Sequence, residues 1–232
     1  MLKDAIYNEL TIGEIVVADF RTAEIFKKAG IDFCCGGKKS LEHACMEKKI
    51  NKTFLLNQLS ELQNLPEEKN QNYNDWELSS LIDHIVGTHH QYVLKTLPEL
   101  VFYTNKIARV HGENHPELIE VAELFRTINA ELLQHLQKEE EVLFPAVKEA
   151  ISNKSPGLRE LIHSEIDRMN DEHELAGGAM DKINTLTLQY RIPQDACNTY
   201  NVSLKLLHQF EDDLHIHVHL ENNILYPKAL LL

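Results

Sequence analysis

His135-Leu-Gln-Lys-Glu139-Glu-Glu-Val-Leu143-Phe144-Pro145 and His217-Val-His-Leu-Glu221-Asn-Asn-Ile-Leu225-Tyr226-Pro227 are one phrase written twice, 82 residues apart. In each copy a histidine precedes a glutamate by four residues, and Leu-aromatic-Pro closes the phrase. On a helix a four-residue step stacks two side chains on one face, about 6 Å apart along the axis. There an imidazole and a carboxylate can each reach one metal ion, or the carboxylate can bridge two. Two such helices facing each other would build a site with two halves.

The surrounding pattern places both pairs in a core. Leu124, Ile128, Leu132, Val142 and Ala146 form an apolar stripe, and His135 with Glu139 occupy the stripe positions between Leu132 and Val142. Phe210, Leu214 and Ile224 or Leu225 define a second stripe that His217 and Glu221 interrupt. Ile162, Ile166, Met169, Ala176 and Met180 frame His173 in the same way. His215 and His219 each lie two residues, about 200° of rotation, from His217, so solvent exposure is expected for both. A carboxylate in an apolar stripe is costly unless paired or metal-bound. The plain alternative is a network of His–Glu hydrogen bonds without an ion.

Outward from these helices the chain divides into three parts. Residues 1–65 read as a small domain of short helices. Thr11-Ile-Gly-Glu14 has capping-box spacing, Asp19 can cap a helix that Gly30 ends, and Ser40 and Asn51 or Thr53 begin two more. Residues 66–75 are polar, contain Pro66, show no period, and read as a flexible linker. Residues 76–232 carry four long helical patterns, about 76–110, 117–150, 158–188 and 194–229, with Pro98 kinking or splitting the first. Strand-like alternation is absent. The expected fold is therefore all-α: an up-down four-helix bundle preceded by a small helical domain.

Composition narrows the function. The 232 residues carry a formal net charge of −13, which argues against nucleic acid or an anionic membrane as partner. No run approaches the 18 or so apolar residues of a membrane span. The N-terminus lacks the apolar core of a signal peptide, so a cytoplasmic location is expected. Cys34, Cys35, Cys45 and Cys197 are too few and too uneven for a disulfide scaffold. All of the 13 histidines except His43 lie between His84 and His219, which locates the expected chemistry.

The first bundle helix should supply one more ligand. Leu78, Ile82, Ile85, Val86 and Val93 set its stripe, and periodicity does not separate His89 from His90. His173 lies 44 residues before His217, and 45 residues before His135 is His90, which favours His90. His84 falls at the stripe's edge. The set is then His90, His135, Glu139, His173, His217 and Glu221. Four imidazoles and two carboxylates suit iron or manganese. They overfill one ion and hold two if Glu139 and Glu221 bridge. A structural zinc site would need four ligands and usually cysteine.

With those residues in hand, residues 76–232 resemble a hemerythrin-like domain. His84-Ile-Val-Gly-Thr-His-His90 with Leu97-Pro98, His135-x3-Glu139, Glu172-His173 and His217-x3-Glu221-Asn-Asn-Ile-Leu are similar to the di-iron proteins of the Repair of Iron Centers family. Asp32-Phe-Cys34-Cys35-Gly36-Gly37-Lys38 resembles the motif of that family's amino-terminal domain. The resemblance implies two non-haem irons per chain and a cytoplasmic protein that restores iron–sulfur clusters damaged by nitric oxide or peroxide, by supplying iron or electrons. Damaged iron–sulfur proteins are then its partners, nitric oxide or oxygen its small ligands, and a homodimer its expected assembly. Nitric oxide reduction at the di-iron centre, which would make it an enzyme, and gas or redox sensing are the alternatives. Oxygen-carrying hemerythrins have one more histidine.

Cys34 and Cys35 are the candidate catalytic thiols. A vicinal pair in a glycine-softened loop beside Lys38 and Lys39 is expected to be accessible and to have lowered pKa values. Such thiolates could hand on iron, pair with another chain or shuttle electrons; the other reading is a purely structural loop. Cys45 and Cys197 fall in helical patterns, are expected to be buried, and are given no role.

Overall fold

The computed structural model describes residues 7, 9–63 and 72–232. Among them the elements are helices and turns, with one isolated bridge between Thr11 and Ser40 in place of any strand. The short helices are α1 (Ile12–Ala18), α2 (Thr22–Lys28), α3 (Leu41–Lys48) and α4 (Lys52–Gln63). The long ones are interrupted by π-turns. Helix α5 comprises Leu78–His84, a π-turn over Ile85–His90, and Gln91–His111; α6 comprises Glu117–Lys138, a π-turn over Glu139–Leu143, and Phe144–Ala150. Helix α7 is Pro156–Leu186, and α8 comprises Asn198–Leu220, a π-turn over Glu221–Leu225, and Tyr226–Ala229. Contacts group the chain into two units: Met1–Leu81 with Val218–Leu231, and Ile82–His217 with Leu232. The division falls inside α8.

In the first unit the local signals act as the pattern implies. Thr11 and Glu14 close a capping box, Thr11 N donating to Glu14 Oε2 at 2.8 Å and Glu14 N to Thr11 Oγ1 at 3.3 Å. Gly30 turns the chain out of α2 at φ 65°, a conformation that costs glycine nothing. Ser40 caps α3 through His43 N, and Asn51 caps α4 through Thr53 N and Phe54 N. Asp19 differs: it ends α1 and ties itself to Arg21 rather than capping α2. Ile12, Ile15, Phe26, Leu41, Leu55 and Leu59 form the buried interior. Of the expected linker, 66–71 lie outside the described residues. Its end is a fixed turn over Tyr73–Asp75, because Lys228 Nζ donates to Asn74 O at 2.5 Å and Trp76 O at 3.0 Å.

The second unit is the bundle. His111 at the end of α5 meets Tyr200 near the start of α8, whereas His89 meets Asp213 and His217, so those helices run antiparallel. Lys138 pairs with Glu172, and Glu120 with Lys182, which makes α6 and α7 antiparallel as well. A layer of aromatic rings fills the middle: Phe210 packs edge-on against Phe125 at 5.5 Å and stacks with Tyr92 at 6.4 Å. Pro98 sits inside α5 without splitting it. Helix α7 ends at Leu186, two residues earlier than the pattern suggests. Leu188, Gln189 and Tyr190 then take left-handed φ angles of 51°, 61° and 58°, a strained run opposed by the burial of Tyr190 against His208.

The prolines that close the two phrases explain the π-turns that start at Glu139 and Glu221. Pro145 and Pro227 have no N–H for the carbonyls four residues back, and their rings would clash with those carbonyls in an α-helix. The chain widens instead. Phe144 N donates to Glu139 O and Tyr226 N to Glu221 O, each one residue farther back than in an α-helix. Each wide turn therefore starts on the glutamate of its phrase.

Candidate metal centre

Within the bundle, His90, His135, Glu139, His173 and His217 are buried with at most 2% of their surface exposed. His90 Nε2 and His135 Nε2 each lie 3.3 Å from the same Glu139 Oε2. His135 Nε2 is 3.0 Å from His173 Nε2. The ligand atoms of His90, Glu139 and His217 lie within 4.8 Å of one another, and so do those of His135, Glu139 and His173. Glu139 thus belongs to both groups. Glu221 is fully buried, four residues beyond His217 in the sequence.

These separations test the fit of an ion. Donors on one ion with bonds of about 2.1 Å stand about 3 Å apart along the edge of the coordination polyhedron. Imidazole nitrogens 3.0 Å from each other and 3.3 Å from a carboxylate oxygen satisfy that spacing. The donor set, nitrogen and oxygen without sulfur, fits iron or manganese.

The opposite nitrogens are held by carboxylates that the helical pattern alone does not single out. His90 Nδ1 is 2.7 Å from Glu140 Oε1. His135 Nδ1 is 3.0 Å from Glu172 Oε2. With the His135 hydrogen bond as the largest cause and Lys138 as a further one, Glu172 is lowered to about 2, so it stays a carboxylate. A carboxylate on Nδ1 keeps the proton there and leaves Nε2 as the donor atom. In the sequence Glu172 stands within the Glu172-His173 motif without a role of its own; Glu140 leaves no signal beyond following Glu139.

His89 is buried beside His90 but turns elsewhere. Its Nδ1 lies 2.9 Å from Asp213 Oδ1, and its ring stacks on His217 at 5.6 Å. His84 is half-buried, and burial lowers its pKa. His215 is also half-buried. His219 overturns the expectation of solvent exposure. It has no exposed surface, lies between Phe20 at 5.9 Å and Phe33 at 5.6 Å, and is lowered to about 4 by burial. The missed factor is the packing of Phe20 and Phe33 on this ring.

The cysteine loop is also more enclosed than expected. Asp32 accepts hydrogen bonds from Cys34 N at 2.8 Å, Cys35 N at 3.1 Å and Gly36 N at 2.8 Å. An aspartate folding the backbone after it in this way is an Asx-type turn, a signal the sequence does carry. Cys34 Sγ donates to Asp32 Oδ1 at 3.1 Å and lies 3.9 Å from Cys35 Sγ. Cys34 is buried, and its thiol is pushed well up by the Cys35 hydrogen bond, by burial and by the Asp32 charge. The expected lowering by lysines therefore fails at Cys34, and Lys39 is engaged with Glu47 at 2.6 Å. Cys35 is half-exposed. Asp32, Cys34 and Cys35 bring their ligand atoms within 4.8 Å of one another. Cys45 is buried as expected, whereas Cys197 is exposed at the start of α8.

A helical bundle with a buried His/Glu cluster is the architecture of a cation-binding hemerythrin, and residues 81–229 match the hemerythrin HHE cation binding domain. Residues 8–63 match a domain of unknown function, DUF542. The chain is 35% identical to the iron-sulfur cluster repair protein ScdA of Staphylococcus haemolyticus (strain JCSC1435) over 228 residues, covering 96% of this chain and 99% of that one. It is 32% identical to the iron-sulfur cluster repair protein YtfE of Enterobacter sp. (strain 638), covering 97% and 98%. To the protein of the same name in Musicola paradisiaca (strain Ech703) it is 34% identical, covering 97% of each. The chain belongs to this family of iron–sulfur cluster repair proteins. Among the described residues no helix is long and apolar enough to cross a membrane.

Proposed function

We propose that the protein repairs damaged iron–sulfur clusters from a di-iron centre held by His90, His135, Glu139, His173, His217 and Glu221. The observation that carries this reading is the meeting of His90 Nε2 and His135 Nε2 on one buried Glu139 oxygen, each at 3.3 Å. A single carboxylate shared by two groups of histidines is what a bridge between two ions requires. Glu221 holds the same place in the second phrase and would be the second carboxylate ligand. Iron held there would supply one-electron chemistry. The chain's own residues do the rest. Glu140 and Glu172 orient His90 and His135 and keep their protons on Nδ1, while the apolar residues around them limit water.

In this reading residues 1–65 form the thiol domain and 76–232 the metal domain, with Cys34 and Cys35 transferring iron or electrons. The proximity of Asp32 to both thiols supports a transient stop for iron on its way to a client. Damaged iron–sulfur proteins are the clients, as the names of the relatives indicate. Nitric oxide and oxygen are the small ligands, and the assembly is a homodimer.

Metal analysis of protein purified without oxygen tests the reading: two irons per chain are expected. One zinc per chain and no iron would overturn it. Recovery of a nitric-oxide-damaged dehydratase is the functional measure, and replacing Cys34 and Cys35 with serine should lower recovery while iron stays bound.

A further inference from the structure

The helical turn that carries Glu221 has a second face, and that face holds the cysteine loop. Asn223 Nδ2 lies 3.3 Å from Phe33 O, 3.3 Å from Cys34 O and 3.1 Å from His219 Nδ1. Two backbone segments close on the same amide. A Cβ on Gly37 would stand 2.7 Å from Asn223 Oδ1, and one on Gly13 would overlap that atom outright. Both positions are therefore glycine for a reason: the backbone of α1 and that of the cysteine loop rest directly on one side chain. The loop is fastened to α1 as well, since Ile12 N donates to Lys39 O at 2.9 Å.

We propose that Asn223 is a positioning residue that fastens the Cys34–Cys35 loop to the turn bearing Glu221, so that thiol reactivity depends on whether Glu221 holds metal. The inference rests on the reading of Glu221 as a ligand. Its physical basis is the π-turn over Glu221–Leu225. An ion held by Glu221 would draw its carboxylate to a bond of about 2 Å, so loading and stripping would shift the turn that bears it. Donor–acceptor distances of 3.3 Å already stand at the long end of hydrogen bonding, so a small displacement of this turn parts Asn223 from both carbonyls. Cys34, 5% exposed, then reacts through local opening of its loop.

The test uses the full chain, iron(II)-loaded and chelator-stripped, with the alkylation rate of each cysteine by iodoacetamide read by peptide mass spectrometry. In the wild type, Cys34 should react about fivefold or more faster after stripping, the scale of losing one or two weak hydrogen bonds. Asn223→Ala should raise the loaded protein to the stripped rate while iron content stays at the wild-type value. Asn223→Asp, which keeps the shape and removes the donor, should do the same, and Gly37→Ala should reach that result from the loop's side. Melting curves identify any variant that fails to fold, in which case the others decide. Equal Cys34 rates with and without iron in the wild type overturn the coupling. A wild-type rate in loaded, folded Asn223→Ala and Asn223→Asp overturns the assignment of Asn223. Failure of the metal reading looks different: the wild type itself would hold no iron.

Discussion

The two copies of the phrase share a backbone and differ on their outer faces. Two residues beyond each histidine and each glutamate stand Gln137 and Glu141 in the first copy, His219 and Asn223 in the second. Gln137 and Glu141 are exposed and bond to each other at 3.2 Å. His219 and Asn223 also bond to each other, at 3.1 Å, but beneath the cysteine loop, where His219 has no exposed surface. The inner faces carry the same His/Glu pair and the outer faces have diverged. One helix puts its spare face in water; the other uses it to hold thiols. Duplicated metal sites can thus keep one chemistry while one copy acquires a second contact.

The largest effect should come from the shared inner face. Replacing Glu139 with alanine removes the residue common to both groups, and both ions should be lost, measured as iron per chain. Retention of one full iron would show that the halves load independently and that Glu139 serves one half.

A smaller loss should follow from the carboxylates behind the imidazoles. Glu172→Gln should weaken metal affinity by about 10- to 100-fold, as removal of such partners generally does. Glu140→Gln should cost less, because its side chain is 38% exposed and water can replace it. Competition against a chelator measures both; a larger loss for Glu140 would reverse the ranking of the two partners.

The outer faces are compared directly by stability. His219→Ala empties a fully buried site between Phe20 and Phe33 and should cost about 2–4 kcal/mol. Gln137→Ala, at the matching position in solvent, should stay within about 0.5 kcal/mol. Urea unfolding of both variants reads the difference. Equal values would mean that His219 carries no packing weight and that the outer faces differ in exposure alone.

Much of this was legible in the sequence and some was not, for reasons that lie in the range of the interactions. Helical periodicity is local, so it identified the stripes that bury His135, Glu139, His173 and His217. Thr11, Ser40 and Asn51 were readable as caps because their partners are three residues away or fewer. His219 was misjudged because its burial comes from Phe20 and Phe33, nearly 200 residues earlier, and a helical wheel has no access to that. The lowered thiol expected of Cys34 failed for a related reason. The lysines are near in sequence, but the Cys35 thiol, burial and Asp32 act at shorter distance. The π-turns of the two phrases do have a signal, Pro145 and Pro227, which reads as punctuation until the wider winding shows it to be a cause.

The smallest effect concerns a second thiol, Cys197, one residue ahead of α8. Near one end, the outer face of α8 holds the loop in which Cys34 is buried and its thiol pushed up. At the other, Cys197 is exposed and lowered to about 7, first by the Tyr200 N–H and then by His111 Nε2 at 3.2 Å. If enclosure against α8 is what silences Cys34, Cys197 should be the faster thiol in the wild type. At pH 7 about half of it is thiolate, against about 1% for a thiol titrating near 9. The gain in rate is smaller than that ratio, because a thiolate of lower pKa is also a weaker nucleophile. Alkylation of Cys197 should therefore rise through pH 7 and level off, whereas that of Cys34 should still be rising above pH 9. His111→Ala removes the second cause and leaves the first, so the Cys197 profile should move only part of the way toward 9 and its rate at pH 7 should fall a few-fold. A Cys197 profile centred near 9 in the wild type would remove the contrast between the two thiols. An unchanged profile in His111→Ala would assign the whole lowering to the helix N-terminus.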